Sequence, residues 1–242
     1  MARIGIIGSE GRMGEALMRA IAAAGHDFAG GADRGDDPAR LADGSDALVD
    51  FSAPAALEGT IHAAVGAGVP ILIGTTGLEA VHHAMIDSAA GAIPVLQTGN
   101  TSLGVTLLAH LVEEAAARLG RDWDVEVLEL HHRMKVDAPS GTALLLGEAA
   151  AAGRGIVLAD HSERGRDGHT GARARGAIGF ASLRGGTVAG EHSVILAGEQ
   201  ERIVLSHMAE DRMIFAHGAI RAAAWLIGRA PGRYTMAQVL GL

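Results

Sequence analysis

Over the first hundred residues, short apolar runs alternate with amphipathic stretches. Arg3-Ile4-Gly5-Ile6-Ile7 reads as a buried strand. Residues 15–24, with Leu17, Met18 and Ile21 at helical spacing, read as a helix, and Gly25 is its C-cap candidate. Residues 28–32, 47–51, 71–73 and 93–97 continue the strands, with helices running through Val65 and over 79–90. Such alternation predicts an α/β fold with a doubly wound parallel sheet. A long amphipathic helix (103–119), a strand (123–130) and an Ala/Leu-rich helix (142–152) follow. The alternation then stops. An Arg/Gly-rich, loop-like stretch (153–176) leads into three consecutive strand candidates, 178–183, 190–196 and 201–207. Consecutive strands predict a second α+β domain with a mostly antiparallel or mixed sheet. A long helix (212–227) and a short one (234–242) close the chain. The predicted domains are 1–102 with 212–242, and 103–211.

Composition narrows the function classes. A chain of 242 residues can bury a sizeable core. The formal net charge of −8 argues against a general nucleic-acid binder, which presents a basic field. There is no cysteine, so disulfides, thiolate nucleophiles and Cys-ligated zinc are excluded, and no metal site is expected. No uninterrupted apolar span of membrane length occurs, and the chain starts directly on a strand-like run without signal-peptide features. The expectation is a cytoplasmic protein with no membrane partner.

Two stretches carry chemistry. The first is Gly8-Ser9-Glu10-Gly11-Arg12-Met13-Gly14, between the first strand and the first helix. Strand, glycine turn, helix is the setting of a dinucleotide fingerprint, here longer by one residue in its first interval. Gly8 permits a tight turn, Gly11 lets a pyrophosphate approach the backbone, and Gly14 allows close helix packing. Asp33-Arg34 follow the second strand. An acid there accepts from a ribose 2′-hydroxyl and an arginine meets a 2′-phosphate, so NADH and NADPH both stay open.

The second stretch dominates the sequence: Glu129-Leu130-His131-His132-Arg133-Met134-Lys135-Val136-Asp137-Ala138-Pro139-Ser140-Gly141-Thr142-Ala143. It joins a strand to a helix. His131 and His132 can donate protons near neutral pH, and Lys135 can pair with a carboxylate or donate a proton. Ser140 is the predicted N-cap, after which the N–H groups of Gly141 and Thr142 face an anion. Further histidines, His192 and His207, fall in the later strands and read as exposed or satisfied in the core.

Glu-x-His-His-x-x-Lys-x-Asp-Ala-Pro-Ser-Gly-Thr-Ala resembles the signature of the dihydrodipicolinate reductases, and the Gly-x-x-Gly-Arg-Met-Gly turn resembles theirs. The resemblance implies a Rossmann-like nucleotide domain and a substrate domain, assembled as a homotetramer through the second sheet. It implies NADH or NADPH as cofactor and a small cyclic dicarboxylate as substrate. Gly74, Thr75 and Thr76, together with Thr98, Gly99, Asn100 and Thr101, would then touch the nicotinamide half of the cofactor. Thr101 stands where relatives often carry an apolar or aromatic residue. His131 would be the proton donor/acceptor and Lys135 the proton donor. His132, Ser140, Gly141 and Thr142 would bind substrate. The alternatives are another dehydrogenase of a small anionic substrate and a non-catalytic NAD(P) sensor.

Overall fold

A computed structural model describes all 242 residues. The chain forms two compact units, Met1–Leu103 with Arg212–Leu242, and Gly104–Asp211.

The first unit begins β1 (Arg3–Ile7), α1 (Arg12–Ala23), β2 (Asp27–Ala32), α2 (Pro38–Asp43), β3 (Ala47–Asp50), α3 (Leu57–Ala67), β4 (Ile71–Ile73), α4 (Ala80–Ala90) and β5 (Pro94–Gln97). The chain then builds the second unit from α5 (Leu103–Leu119), β6 (Asp124–His131), α6 (Gly141–Gly153), α7 (Leu158–His161), β7 (Ser162–Glu163), β8 (Ile178–Arg184), β9 (Gly190–Ala197) and β10 (Arg202–Ala209). It returns as α8 (Met213–Leu226), β11 (Gly232–Tyr234) and α9 (Met236–Leu240).

The first unit holds a parallel six-stranded sheet ordered β11-β5-β4-β3-β1-β2. The inner strands β1, β3, β4 and β5 are near-continuous apolar runs because helices cover both faces there. Ile4, Ile6, Val49, Leu72 and Leu96 pack with α1, α8 and α9 on one side. Leu48, Ile71, Ile73 and Val95 pack with α2, α3 and α4 on the other. The strand order reverses between β1 and β3, so a crevice opens at the carboxyl ends there.

The second unit holds a mixed five-stranded sheet ordered β10-β9-β6-β8-β7. β6 pairs antiparallel with β9 and parallel with β8. Leu108 and Val112 of α5 and Leu146 and Ala150 of α6 pack against Val125, Val127, Val194 and Leu196.

Three segments differ from expectation. The last segment is not one helix: Gly232-Arg233-Tyr234 first adds a sixth strand beside β5. Three residues with no apolar alternation carry no strand signal; the open edge of β5 makes the strand. Likewise, the stretch 153–176 holds α7 and the two-residue β7, which pairs with Ile178 and Gly179. Pro38–Asp43 also forms a helix the pattern did not mark, α2, opened by Asp37 as N-cap and Pro38 at its first turn; elsewhere the elements fall within a few residues of the pattern. β6 runs one residue further, through His131.

Candidate active site

The first unit carries a cavity of about 610 Å³ at the strand-order reversal. Its walls come from the ends of three strands: Ile7, Gly8 and Gly11 after β1, Asp33 to Asp36 after β2, and Phe51, Ser52 and Ala53 after β3. Each glycine of the first turn has a visible reason. Gly8 sits at φ +85, a left-handed conformation, where a Cβ would also lie 2.8 Å from the Phe51 carbonyl oxygen. A Cβ on Gly14 would lie 2.1 Å from the Ser9 carbonyl oxygen, so the start of α1 packs directly on the turn. Gly11 is the N-cap of α1 and provides no side chain to cap it, which leaves the helix N–H groups for an anion. Arg12 and Met13 open the helix.

Asp33 is tied to that same turn. Its carboxylate accepts from Ser9 Oγ at 2.5 Å and from the Glu10 N–H at 3.1 Å. Arg34 lines the cavity beside it and is exposed. A backbone cradle, a fixed acid and an adjacent cation fit a dinucleotide.

The turns Gly74–Thr76 and Thr98–Thr101 follow β4 and β5, at the same edge of the sheet but outside that cavity's lining. Gly74 is glycine because a Cβ would strike the Phe51 ring at 2.3 Å. Thr98 Oγ1 donates to the Asn100 carbonyl oxygen, and Asn100 Oδ1 accepts from the Ser102 N–H, closing the turn. Thr101 is buried, and its hydroxyl donates to the Phe215 carbonyl oxygen at 2.7 Å. Its side chain is therefore engaged within the unit. Sequence reasoning missed Phe51, Ser52 and Ala53, although Ser52-Ala53-Pro54 follows a strand just as the assigned turns do.

In the second unit the strand period explains the site. On β6, Val125, Val127, Glu129 and His131 all point to the buried face. The first two meet an apolar core. The last two continue the same row as polar groups, which must find partners. Register supplies them. Glu129 lies opposite Ser182 of β8 and His192 of β9, and His131 lies opposite Arg184. Arg184 grips both Glu129 oxygens at 2.9 Å and donates to the Asp137 carbonyl oxygen at 2.6 Å. Glu129 Oε2 also holds His131 Nδ1. A Cβ on Gly190 would come within 3.0 Å of His131 Nε2, so the absence of a side chain there makes room for the ring.

The head of α6 closes over this face. Ser140 is the N-cap: its hydroxyl accepts from the Ala143 N–H at 3.2 Å and lies 3.0 Å from His192 Nε2, and its own N–H donates to Glu129. Buried Ser140 thus has its polar groups committed inside the protein. Gly141, exposed, and Thr142 form the first turn of α6. Lys135, only partly exposed, pairs with Asp137 at 2.8 Å. The His132 N–H donates to the Val188 carbonyl oxygen, fixing that residue just past the strand.

The electrostatics follow from burial. Desolvation pushes the Glu129 carboxyl up, but hydrogen bonds from Arg184, Ser182 and His131 outweigh it and hold the group at about 2. Desolvation lowers His131. Glu129 opposes that shift, while Lys135 and Arg184 add to it, so the ring is neutral at pH 7. His192 is pushed down to about 4 by burial and then by the neighbouring His131. The cluster therefore presents a neutral imidazole oriented by a carboxylate, beside an ammonium. This suits proton transfer next to a bound anion. Glu129, Arg184 and His192 were not assigned from sequence. The signal for Glu129 and His192 was the period-2 burial pattern; Arg184 is 55 residues away and only register brings it in.

Comparison with known proteins agrees over the full length. Residues 2–101 match the family model for the N-terminus of dihydrodipicolinate reductase, and residues 104–240 match its C-terminus. A 4-hydroxy-tetrahydrodipicolinate reductase of Zymomonas mobilis is 53% identical over 247 residues, covering 99% of this chain and 97% of the relative. One from Methylocella silvestris is 59% identical over 206 residues, covering 85% of this chain and 76% of the relative. A dipicolinate-bound dihydrodipicolinate reductase from Paenisporosarcina sp. TG-14 shares the fold, with TM-score 0.77 and 20% identity over 98% of both chains. The chain belongs to the dihydrodipicolinate reductase family.

Proposed function

We propose that this protein reduces 4-hydroxy-tetrahydrodipicolinate to tetrahydrodipicolinate with NADH or NADPH, the 4-hydroxyl leaving as water, within diaminopimelate and lysine biosynthesis. The observation that carries the reading is the polar row Glu129, His131, Arg184 and His192 on an otherwise apolar strand face, with Lys135 and the head of α6 beside it. A nucleotide sensor would have no use for it.

The first unit holds the reductant: Gly8 to Gly14 take its pyrophosphate, and Asp33 and Arg34 face its ribose. Gly74, Thr75, Thr76 and Thr98 to Thr101 attend the nicotinamide half. When bound, the coenzyme supplies the reducing electron pair. The second unit holds the substrate. His132 and the N–H groups of Gly141 and Thr142 grip its carboxylates by charge-assisted hydrogen bonds. Ser140 contributes by building the cap and holding His192. Lys135 donates the proton that the reduced ring takes up, and His131 accepts and returns a proton at Nε2 while Glu129 holds Nδ1.

We also propose a homotetramer in the cytoplasm, joined through the outer face of the second sheet. That face presents Leu128, Leu130, Leu183, Ile195, Val204 and Met208, of which Val204 is 51% and Met208 65% exposed. Loss of NADH or NADPH absorbance in the presence of the condensation product of pyruvate and aspartate semialdehyde tests the activity. Consumption of either coenzyme is expected; binding without consumption would leave the sensor reading.

A further inference from the structure

Asp50 ends β3 and is completely enclosed, as are all four residues of that strand. A strand buried on both faces calls for apolar residues, as Ala47, Leu48 and Val49 are. The carboxylate must therefore serve something. Its Oδ1 accepts from the Ser52 N–H at 2.8 Å, the Ser52 hydroxyl at 2.6 Å and the Thr75 hydroxyl at 2.9 Å. The Ser52 N–H is shared with Thr75 Oγ1 at 3.0 Å. The Asp50 carbonyl oxygen accepts from the Gly74 N–H at 2.8 Å. One residue thus holds together the turn after β3 and the turn after β4. The other oxygen, Oδ2, is buried without a hydrogen-bond partner.

That unpartnered oxygen sets the problem. Filling the space with an apolar side chain would avoid it, and burying a carboxylate is unfavourable unless its bonds return something. Burial accordingly pushes the Asp50 carboxyl up, against the opposing hydrogen bonds from Ser52 and Thr75. What the bonds achieve is a fixed relation between the two neighbouring turns at the carboxyl ends of β3 and β4. Ser52, with Phe51 and Ala53, lines the cavity after β3, whereas Gly74 and Thr75 belong to the next strand's turn.

We propose that Asp50 is a positioning residue for the coenzyme, clamping the Ser52 turn to the Thr75 turn so that both present one prearranged surface. The inference rests on the first unit being the NADH or NADPH site. Preorganisation of this kind acts on affinity, since the loops need no ordering when the ligand arrives.

Direct titration of NADH and NADPH by fluorescence or calorimetry, with steady-state kinetics and thermal midpoints, tests it on Asp50→Leu and Asp50→Asn. Leucine fills the space without an acceptor, whereas asparagine keeps one oxygen for the three donors. Asp50→Leu should weaken coenzyme binding and raise coenzyme KM by about tenfold or more, with the dicarboxylate KM and saturated turnover within about twofold of wild type. Asp50→Asn should stay within about threefold on every parameter. A merely structural role would not separate the two substrates in this way. If Asp50→Leu does not fold, Asp50→Val, a smaller apolar replacement that also lacks the acceptor, should weaken coenzyme binding at a near-native thermal midpoint. Wild-type affinity in Asp50→Leu, or in Asp50→Val where that stands in, overturns the proposal; so does an asparagine variant as weak as the apolar one. A wild-type protein that binds neither coenzyme overturns instead the reading of the first unit.

Discussion

Glu129 and His131 lie two residues apart on β6, both on its buried face, with the carboxylate of the first against Nδ1 of the second. This contact sets the imidazole's orientation and its tautomer, with the proton on Nδ1 and the lone pair on Nε2. Arg184 balances the carboxylate from the neighbouring strand. Removing Glu129 therefore leaves a partly buried guanidinium unpaired and a histidine unanchored. Glu129→Ala should cost about 3 kcal/mol of stability. Glu129→Gln should cost less, yet still lower turnover by about tenfold or more because His131 loses the adjacent charge. Denaturant midpoints and turnover on the same preparations check both.

The same cluster makes stability depend on pH in two windows. His192 titrates at about 4 in the folded chain and at 6.5 as a free group, so between these values the unfolded chain binds the extra proton. Its contribution is intact above pH 6.5 and declines as pH falls to about 4. Glu129, about 2 folded against 4.5 free, contributes fully above pH 4.5 and loses that contribution as pH falls toward 2. Urea midpoints measured down the pH scale should fall in that order, and His192→Gln should flatten the upper window.

Gly14→Ala probes the nucleotide turn. The new methyl would meet the Ser9 carbonyl oxygen at 2.1 Å, and neither α1 nor the turn can yield without moving. Stability should drop by about 1–3 kcal/mol. Coenzyme affinity should fall with it, while a planar dicarboxylate should still bind. Thermal denaturation and titration with each ligand separate the effects.

His132→Ala should raise the dicarboxylate KM more than it lowers turnover, since that residue is assigned to grip rather than to proton transfer. Initial-rate kinetics at saturating coenzyme give the split.

Much of this was legible from residue order. Strands β1 to β5 of the first unit are short runs, mostly apolar, and each appears where the pattern puts it. Ser140 reads as an N-cap and is one. What could not be read is pairing across distance. Arg184 reaches Glu129 only because β8 lies parallel to β6 in a particular register. His192, read as a bland strand histidine, is buried against Ser140 and edge-on to His131 at 5.0 Å between ring centres. β11 was invisible because a neighbouring edge, rather than its own composition, makes it a strand.

Whether the turn from β6 into α6 performs the chemistry is decided by Lys135→Ala. Single-turnover and steady-state rates with the pyruvate–aspartate semialdehyde condensation product should fall by about 100-fold or more, with coenzyme affinity unchanged. A Lys135→Ala protein that turns over at the wild-type rate would remove this turn from the chemistry.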